Sequence, residues 1–109
     1  MRQIKMDIIE ISKALANETR LNILKWLKNP ESNFPPQSSS LNEPVDLQGG
    51  VCVSSIQAKA NLSQSTVSNY LDMMQRAGLL ISERRGKWTY YRRNEKVIAE
   101  LSEYIKSKL

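Results

Sequence analysis

The chain has no histidine, one cysteine and one phenylalanine in 109 residues. Without histidine, most general acid–base schemes and the usual hydrolase triads lack their base. The single cysteine, Cys52, excludes a disulfide framework within the chain. Glycine is also scarce, and Gly49-Gly50 has neither the spacing nor the lysine of a phosphate-binding loop. No enzyme constellation is visible, so no catalytic residue is assigned and no cofactor is expected. No apolar run reaches the roughly 20 residues that a membrane-spanning helix needs. Charges interrupt Met1-Arg2-Gln3-Ile4-Lys5-Met6-Asp7, where a signal peptide would carry its apolar core. Both absences predict a soluble, cytoplasmic protein with no membrane partner.

What is present is positive charge. There are 16 Lys and Arg against 11 Asp and Glu, a net charge of +5. This balance suits a polyanionic partner without proving one. The length suits a single small domain over residues 1–109.

The most informative stretch runs from Val53 to Arg93. Its pattern predicts a helix, a tight turn, a second helix and a β-hairpin. Ile56 and Ala60 mark the core side of the first helix, with Ser54 or Ser55 as the expected cap. Asn61-Leu62 makes the turn, with Leu62 plugging the angle between the helices. Ser63 caps the second helix, because its oxygen can accept a free backbone N–H. Val67, Leu71 and Met74 come next at i, i+4 and i+7, which puts them on one face. Gly78 stands just past the last apolar turn, where a left-handed residue often ends a helix.

Short hydroxyl and amide side chains crowd the start of the second helix. Such groups donate to and accept from base edges and phosphates. In a helix-turn-helix, this part of the second helix enters the major groove. The plainer account is a capped polar helix start on the surface. The segment beyond Gly78 decides between them. Leu79 to Arg84 reads as a strand, Arg85-Gly86 as a turn and Lys87 to Arg93 as the returning strand. Arg84, Arg85, Lys87, Arg92 and Arg93 lie together, with Glu83 beside them. A basic hairpin one helix beyond a polar recognition helix is a wing, able to track phosphates beside the groove. A charged edge hairpin that resists aggregation is the plainer alternative. The fold class expected is mainly α with a β-hairpin wing (α+β), a winged helix-turn-helix of about five helices and a two-stranded hairpin.

The N-terminal part predicts a helix over residues 2–16, with Ile4, Ile8, Ile11 and Leu15 in one stripe and Met6 and Ile9 broadening it. Asn17 caps the next helix, Thr19 to Lys28, with Leu21, Leu24 and Leu27 inward and Trp26 half-buried. Residues 29–50 break the pattern. All four prolines (Pro30, Pro35, Pro36, Pro44) fall there, with Ser38-Ser39-Ser40 and Gly49-Gly50, a density that forbids a regular helix or central strand. Phe34 can pin this inserted loop, which is either a lid or dimer arm or a solvated tether. At the other end, Asn94 caps a final helix with Val97, Leu101 and Tyr104, or Ile98, Leu101 and Ile105, as its apolar face.

Three motifs, in order, resemble the ArsR/SmtB-type bacterial repressors. Ala14-Leu15-Ala16-Asn17-Glu18-Thr19-Arg20-Leu21-Asn22-Ile23-Leu24 resembles that family's "ALA-x-x-TR-L-x-IL" start. Leu62-Ser63-Gln64-Ser65-Thr66-Val67-Ser68-Asn69-Tyr70-Leu71 resembles its "LSQSTVS-x-HL" recognition helix. Ala77-Gly78-Leu79-Leu80 and Arg84-Arg85-Gly86-Lys87-Trp88-Thr89-Tyr90-Tyr91 are similar to its "AGLV…R-x-G-x-x-x-YY" wing. The match covers nearly everything except residues 29 to about 50, where such proteins commonly have a much shorter connection.

The resemblance implies a homodimeric winged helix-turn-helix repressor of transcription, bound to double-stranded DNA. The DNA-binding residues expected are Ser63, Gln64, Ser65, Thr66, Ser68, Asn69, Arg84, Arg85, Lys87 and Arg92. The first and last helices build the implied dimer interface, through Ile4, Ile8, Ile11, Leu15, Ile98, Leu101 and Ile105. Many such repressors sense metal through paired cysteines in an "ELCVC" motif. Here the segment is Gly50-Val51-Cys52-Val53-Ser54, with no second thiol and no histidine. A thiolate or zinc site needs three or four N/S ligands, so no metal residue is assigned. Cys52 is either a redox switch or a small buried hydrophobe between two valines. The effector is unknown. A rival function is a winged protein-interaction module whose basic wing meets an acidic protein.

Overall fold

The computed structural model describes residues 6–37 and 49–109. Helix α1 (Ile8–Leu15) starts later than its apolar stripe predicts. Asp7 is extended, and its carboxylate accepts from the N–H groups of Ile9 and Glu10 at 3.1 and 3.2 Å. A cap this well placed outweighs the apolar residues before it. Ile4, expected in the stripe and in a dimer interface, lies outside the described residues.

Helix α2 (Glu18–Lys28) is capped by Asn17 as expected, Oδ1 accepting from Arg20 N–H at 3.0 Å. Its inward face differs from expectation. Arg20, Ile23 and Leu27 are buried, whereas Leu21 is 38% exposed. A strict repeat of three drifts around a helix of about 3.6 residues per turn, so Leu21, Leu24 and Leu27 cannot all face the core. Leu24 and Trp26 are partly buried against it.

The expected bar on helix after Lys28 fails for one turn. Helix α3 (Pro30–Asn33) has Pro30 in its first turn, where the missing N–H costs nothing. Phe34 then enters the core and meets Trp26 edge to face, with ring centroids 6.4 Å apart. Beyond Gln37, the supposed lid, arm or tether lies outside the described residues.

The next element is a strand that sequence patterning does not reveal. Strand β1 (Val51–Cys52) leads directly into helix α4 (Val53–Ala60). Cys52 is the N-cap residue, and Ser54 and Ser55, the expected caps, already lie inside the helix. Asn61 ends α4 in the left-handed region at φ 58°. Leu62 does not plug the turn; it is 38% exposed.

Helix α5 (Gln64–Arg76) buries Val67, Leu71 and Met74 completely, as its spacing predicts. Gly78 ends it at φ +90°. Strand β2 (Leu80–Arg85) and strand β3 (Trp88–Arg93) turn at Gly86-Lys87, one residue later than expected. Gly86, at φ +61°, suits the first position of a two-residue hairpin turn. The antiparallel sheet has the order β1-β3-β2, with Val51 opposite Tyr91 and Cys52 opposite Tyr90. The wing thus supplies the central strand and one edge strand of a three-stranded sheet. Helix α6 (Glu95–Lys108) is capped by Asn94 and has no fully buried residue.

The core gathers Ile11, Ile23, Val51, Ile56, Val67, Leu71, Met74 and Leu79 between the helices and the sheet. Ile11, expected at a dimer interface, is only 1% exposed. It belongs to the chain's own core, because it occupies the face of α1 that packs inward with Ala14.

Candidate nucleic-acid interface

Burial of Val67, Leu71 and Met74 fixes the rotation of α5 about its axis. Gln64, Ser65, Ser68 and Asn69 are therefore presented to solvent. Ser63 is exposed too, but its hydroxyl serves the helix. It accepts from Thr66 N–H at 3.2 Å and donates to Thr66 Oγ1 at 2.8 Å. Thr66 is consequently half-buried against its own cap. Ser65 Oγ lies 3.3 Å from the Ser63 hydroxyl, which leaves Gln64, Ser68 and Asn69 as the exposed side chains least committed to the cap.

The wing cations divide into two groups. Glu83 accepts from Arg85 at 2.7 Å and lies 3.6 Å from Arg92. Glu83, Arg85 and Arg92 share one face of the hairpin, since their cross-strand partners alternate with those of Arg84. Arg92 is the more enclosed and also lines a cleft with Lys28 and Glu31, away from α5. Arg84 donates to the Gly86 carbonyl at 3.0 Å and remains exposed, as does Lys87. Among the described residues, neither Arg84 nor Lys87 forms an ion pair. Arg93 is held by a two-pronged bond to Glu95, at 2.9 and 2.8 Å.

Between α5 and the wing lies an open recess of about 400 Å³. Gln64 and Ser68 form one side and Lys87, Trp88 and Thr89 the other. The floor is the start of α4, from Cys52 to Ser54 with Gln57, together with Tyr91. Pairing between β1 and β3 stops at Tyr90, so among the described residues the edge of β3 beside the recess has no strand partner. The structure thus brings Gln64, Ser68 and Lys87 together and leaves Arg92 aside. Sequence reasoning missed Gln57 and Trp88. Trp88 carried one available signal, a large aromatic in an otherwise charged hairpin tip; it is 42% exposed.

Two groups in the floor have chemistry of their own. Burial, and secondarily the negative charge of Asp72, raise the Tyr91 phenol above its ordinary value. It therefore stays a neutral hydrogen-bond donor well into the alkaline range. Cys52 is half-buried rather than enclosed between its valines, with Sγ 3.3 Å from Ser54 Oγ. It sits at the recess because it begins a helix instead of continuing a core strand.

A polar helix start beside a partly basic hairpin is the geometry of a DNA-reading surface. The family model described as bacterial regulatory protein, arsR family, matches residues 47–82, which include α4, α5 and the start of the wing. An uncharacterized HTH-type transcriptional regulator of Bacillus subtilis, YbzH, is 47% identical over 105 residues, 95% of this chain and 100% of that one. The chain belongs to the ArsR family of bacterial regulators. This ArsR-family protein is a transcriptional regulator with a winged helix-turn-helix DNA-binding fold, and it is not an enzyme. The arsenical resistance operon repressor of Escherichia coli is 32% identical over 84 residues. That match takes in 77% of this chain but only 56% of the relative's length. Among solved structures, the homodimeric winged helix-turn-helix DNA-binding domain Mb0332 of Mycobacterium bovis superposes with a TM-score of 0.62. It is 26% identical and covers 91% of this chain and 74% of its own. The ArsR-family protein has, among its described residues, no helix long and apolar enough to cross a membrane. Those residues also hold no group of three or more Cys, Asp or Glu able to hold a metal ion.

Proposed function

We propose that the protein is a homodimeric repressor that reads a palindromic operator in double-stranded DNA within the cytoplasm. Helix α5 enters the major groove with Gln64, Ser65, Ser68 and Asn69 toward the base edges, and Ser63 and Thr66 hold its first turn. The wing lies on the flanking backbone or minor groove. Arg84 and Lys87 meet phosphates first, while Arg85 and Arg92 contribute after release from Glu83. The observation that carries this reading is the recess bounded by Gln64 and Ser68 on one side and Lys87 on the other. It has the polar and cationic lining that a sugar–phosphate strand between two grooves requires.

Homodimerisation is supported by the homodimeric Mycobacterium bovis domain and by the surface of α1 and α6. Ile9 is 60% and Ile105 50% exposed, beside the half-buried Ile8, Leu15, Ile98 and Leu101. A second subunit would cover these side chains and set two recognition helices about 34 Å apart, one turn of duplex.

The test is binding of the purified protein to the DNA upstream of its own gene and to a random duplex, at two salt concentrations. The operator reading expects a salt-dependent preference for the upstream duplex. Weak and equal binding to both duplexes, with tight binding to an acidic protein, would replace the reading with a winged interaction module. A second reading, a redox-responsive regulator, is favoured by the place of Cys52 in the recess floor. Its test is the same assay with oxidant and with reductant.

A further inference from the structure

We propose that Gln37 is a positioning residue for DNA binding, acting from outside the recess through the first turn of α4. The proposal rests on the reading of the recess as the seat of DNA.

A helix start leaves backbone N–H groups without partners. At α4 the cap position holds Cys52, whose side chain makes no capping bond, and a thiol is a weak acceptor. Gln37 does not replace that bond; it supplies an acceptor, from elsewhere in the chain, to the N–H of the cap residue itself. Its Oε1 accepts from Cys52 N–H at 3.0 Å. Its Nε2 donates to Ser55 Oγ at 3.3 Å and to the Pro35 carbonyl at 2.7 Å. Both donors and the acceptor of the amide are thus engaged. Rotating the amide by half a turn would set its NH₂ against Cys52 N–H, so the orientation is unique.

The other end of this segment is fixed as well, because Phe34 is buried in the core against Trp26. Residues 34–37 therefore form a strut from the core to the start of α4. The same turn of α4 that the strut holds supplies the recess floor through Cys52, Val53 and Ser54, with Gln57 one turn on. The distance between that floor and the wing edge at Thr89 decides how closely a DNA strand can approach Gln64 and Lys87. Gln37 sets that distance without touching DNA. It does so from within the inserted segment, so the insert carries part of the geometry of the reading head.

The experiment measures affinity of the full-length protein for the upstream duplex and for a random duplex, at a temperature where every variant is fully folded. Gln37→Ala is expected to weaken binding roughly fivefold to tenfold, the size of one ordinary hydrogen bond. Gln37→Glu keeps the acceptor for Cys52 N–H and is expected to recover part of the loss. Gln37→Ala and Ser55→Ala together are expected to cost less than the sum of the two, since both break the same bond. A purely structural role would lower the melting temperature and leave the affinity of the folded protein unchanged, and that result would overturn the proposal. Additive losses in the Gln37/Ser55 cycle would overturn it equally. If Gln37→Ala does not fold, the comparison of Gln37→Glu and Ser55→Ala with the parent decides, and unchanged affinity in both refutes the strut. Lys87→Ala is the control. Loss with Lys87→Ala but not with the Gln37 variants refutes the strut and keeps the DNA reading. No loss with any of them removes the recess as the seat of DNA and this proposal with it.

Discussion

The guanidinium of Arg20 stands 4.9 Å above the ring centroid of Tyr70, joining α2 to the recognition helix. The same side chain donates from Nε to the Ala14 carbonyl at 2.7 Å and from Nη2 to the Lys13 carbonyl at 3.1 Å. Arg20 is only 9% exposed, and among the described residues it forms no ion pair. Its charge is met instead by the carbonyl end of α1 and by an aromatic face, both electronegative. Three helices thus share one cation. Arg20→Met is expected to destabilise the fold by about 2–4 kcal/mol, because two carbonyls lose a charged donor and the ring contact disappears. Tyr70→Phe, which keeps the ring face, should be nearly neutral, and Tyr70→Leu should cost about 0.5–2 kcal/mol. Urea unfolding of the variants measures all three.

Base-reading and phosphate-holding side chains should separate in binding experiments. Gln64→Ala is expected to lose about 1–3 kcal/mol on the preferred site and little on random DNA. Lys87→Ala should weaken both alike and lower the salt slope by about one. Arg92→Ala should do less than Lys87→Ala, since Arg92 lies 3.6 Å from Glu83 and is the more enclosed side chain. Equal losses on both duplexes after Gln64→Ala would contradict its role.

Gly78 tests backbone conformation apart from packing. A Cβ added there would lie 3.7 Å from Val97, an ordinary contact, yet φ is +90°. Gly78→Ala should therefore cost about 1 kcal/mol or somewhat more through backbone strain alone. Trimming the neighbour with Val97→Ala should not relieve that cost. Thermal unfolding of the two single variants and the double variant gives the answer.

The Tyr91 phenol titrates above its ordinary value of 10.0, first through burial and then through Asp72. The folded state therefore holds this proton more tightly than the unfolded state. Its contribution to stability is whole below the unfolded value and is lost as pH rises through the folded one. Alkaline unfolding should be steeper in the wild type than in Tyr91→Phe over that window, and indistinguishable in shape below it. Ultraviolet difference titration of the two proteins locates the ionisation directly.

Cys52 offers a chemical probe of the recess. A maleimide adduct on its half-buried thiol would occupy the floor between α5 and the wing. Modification is expected to abolish DNA binding, with Cys52→Ser both binding normally and resisting the reagent. Retention of binding by the fully modified protein would place DNA elsewhere.

Much of this molecule is decided within short stretches of chain, and that part is legible without coordinates. Asn17, Ser63 and Asn94 cap α2, α5 and α6, because a cap needs only an oxygen and an N–H three residues away. Val67, Leu71 and Met74 face inward because their spacing matches the helix, and Gly78 ends that helix because its φ is positive. The basic hairpin was legible in its strand formers and its glycine, so the reading head was visible as an order of elements. The rest depended on groups that meet only after folding. Val51 and Cys52 are too short a run to announce a strand; they form one because Tyr91 and Tyr90 present a free edge. Cys52, not a serine, stands at the cap position of α4, where its own N–H donates to Gln37 from the other end of the insert. The burial of Arg20 rather than Leu21 comes from the carbonyl end of α1 and the ring of Tyr70. The recess, and with it the choice of Lys87 over Arg92, belongs to the packing of α4, α5 and the sheet, where no local periodicity reaches.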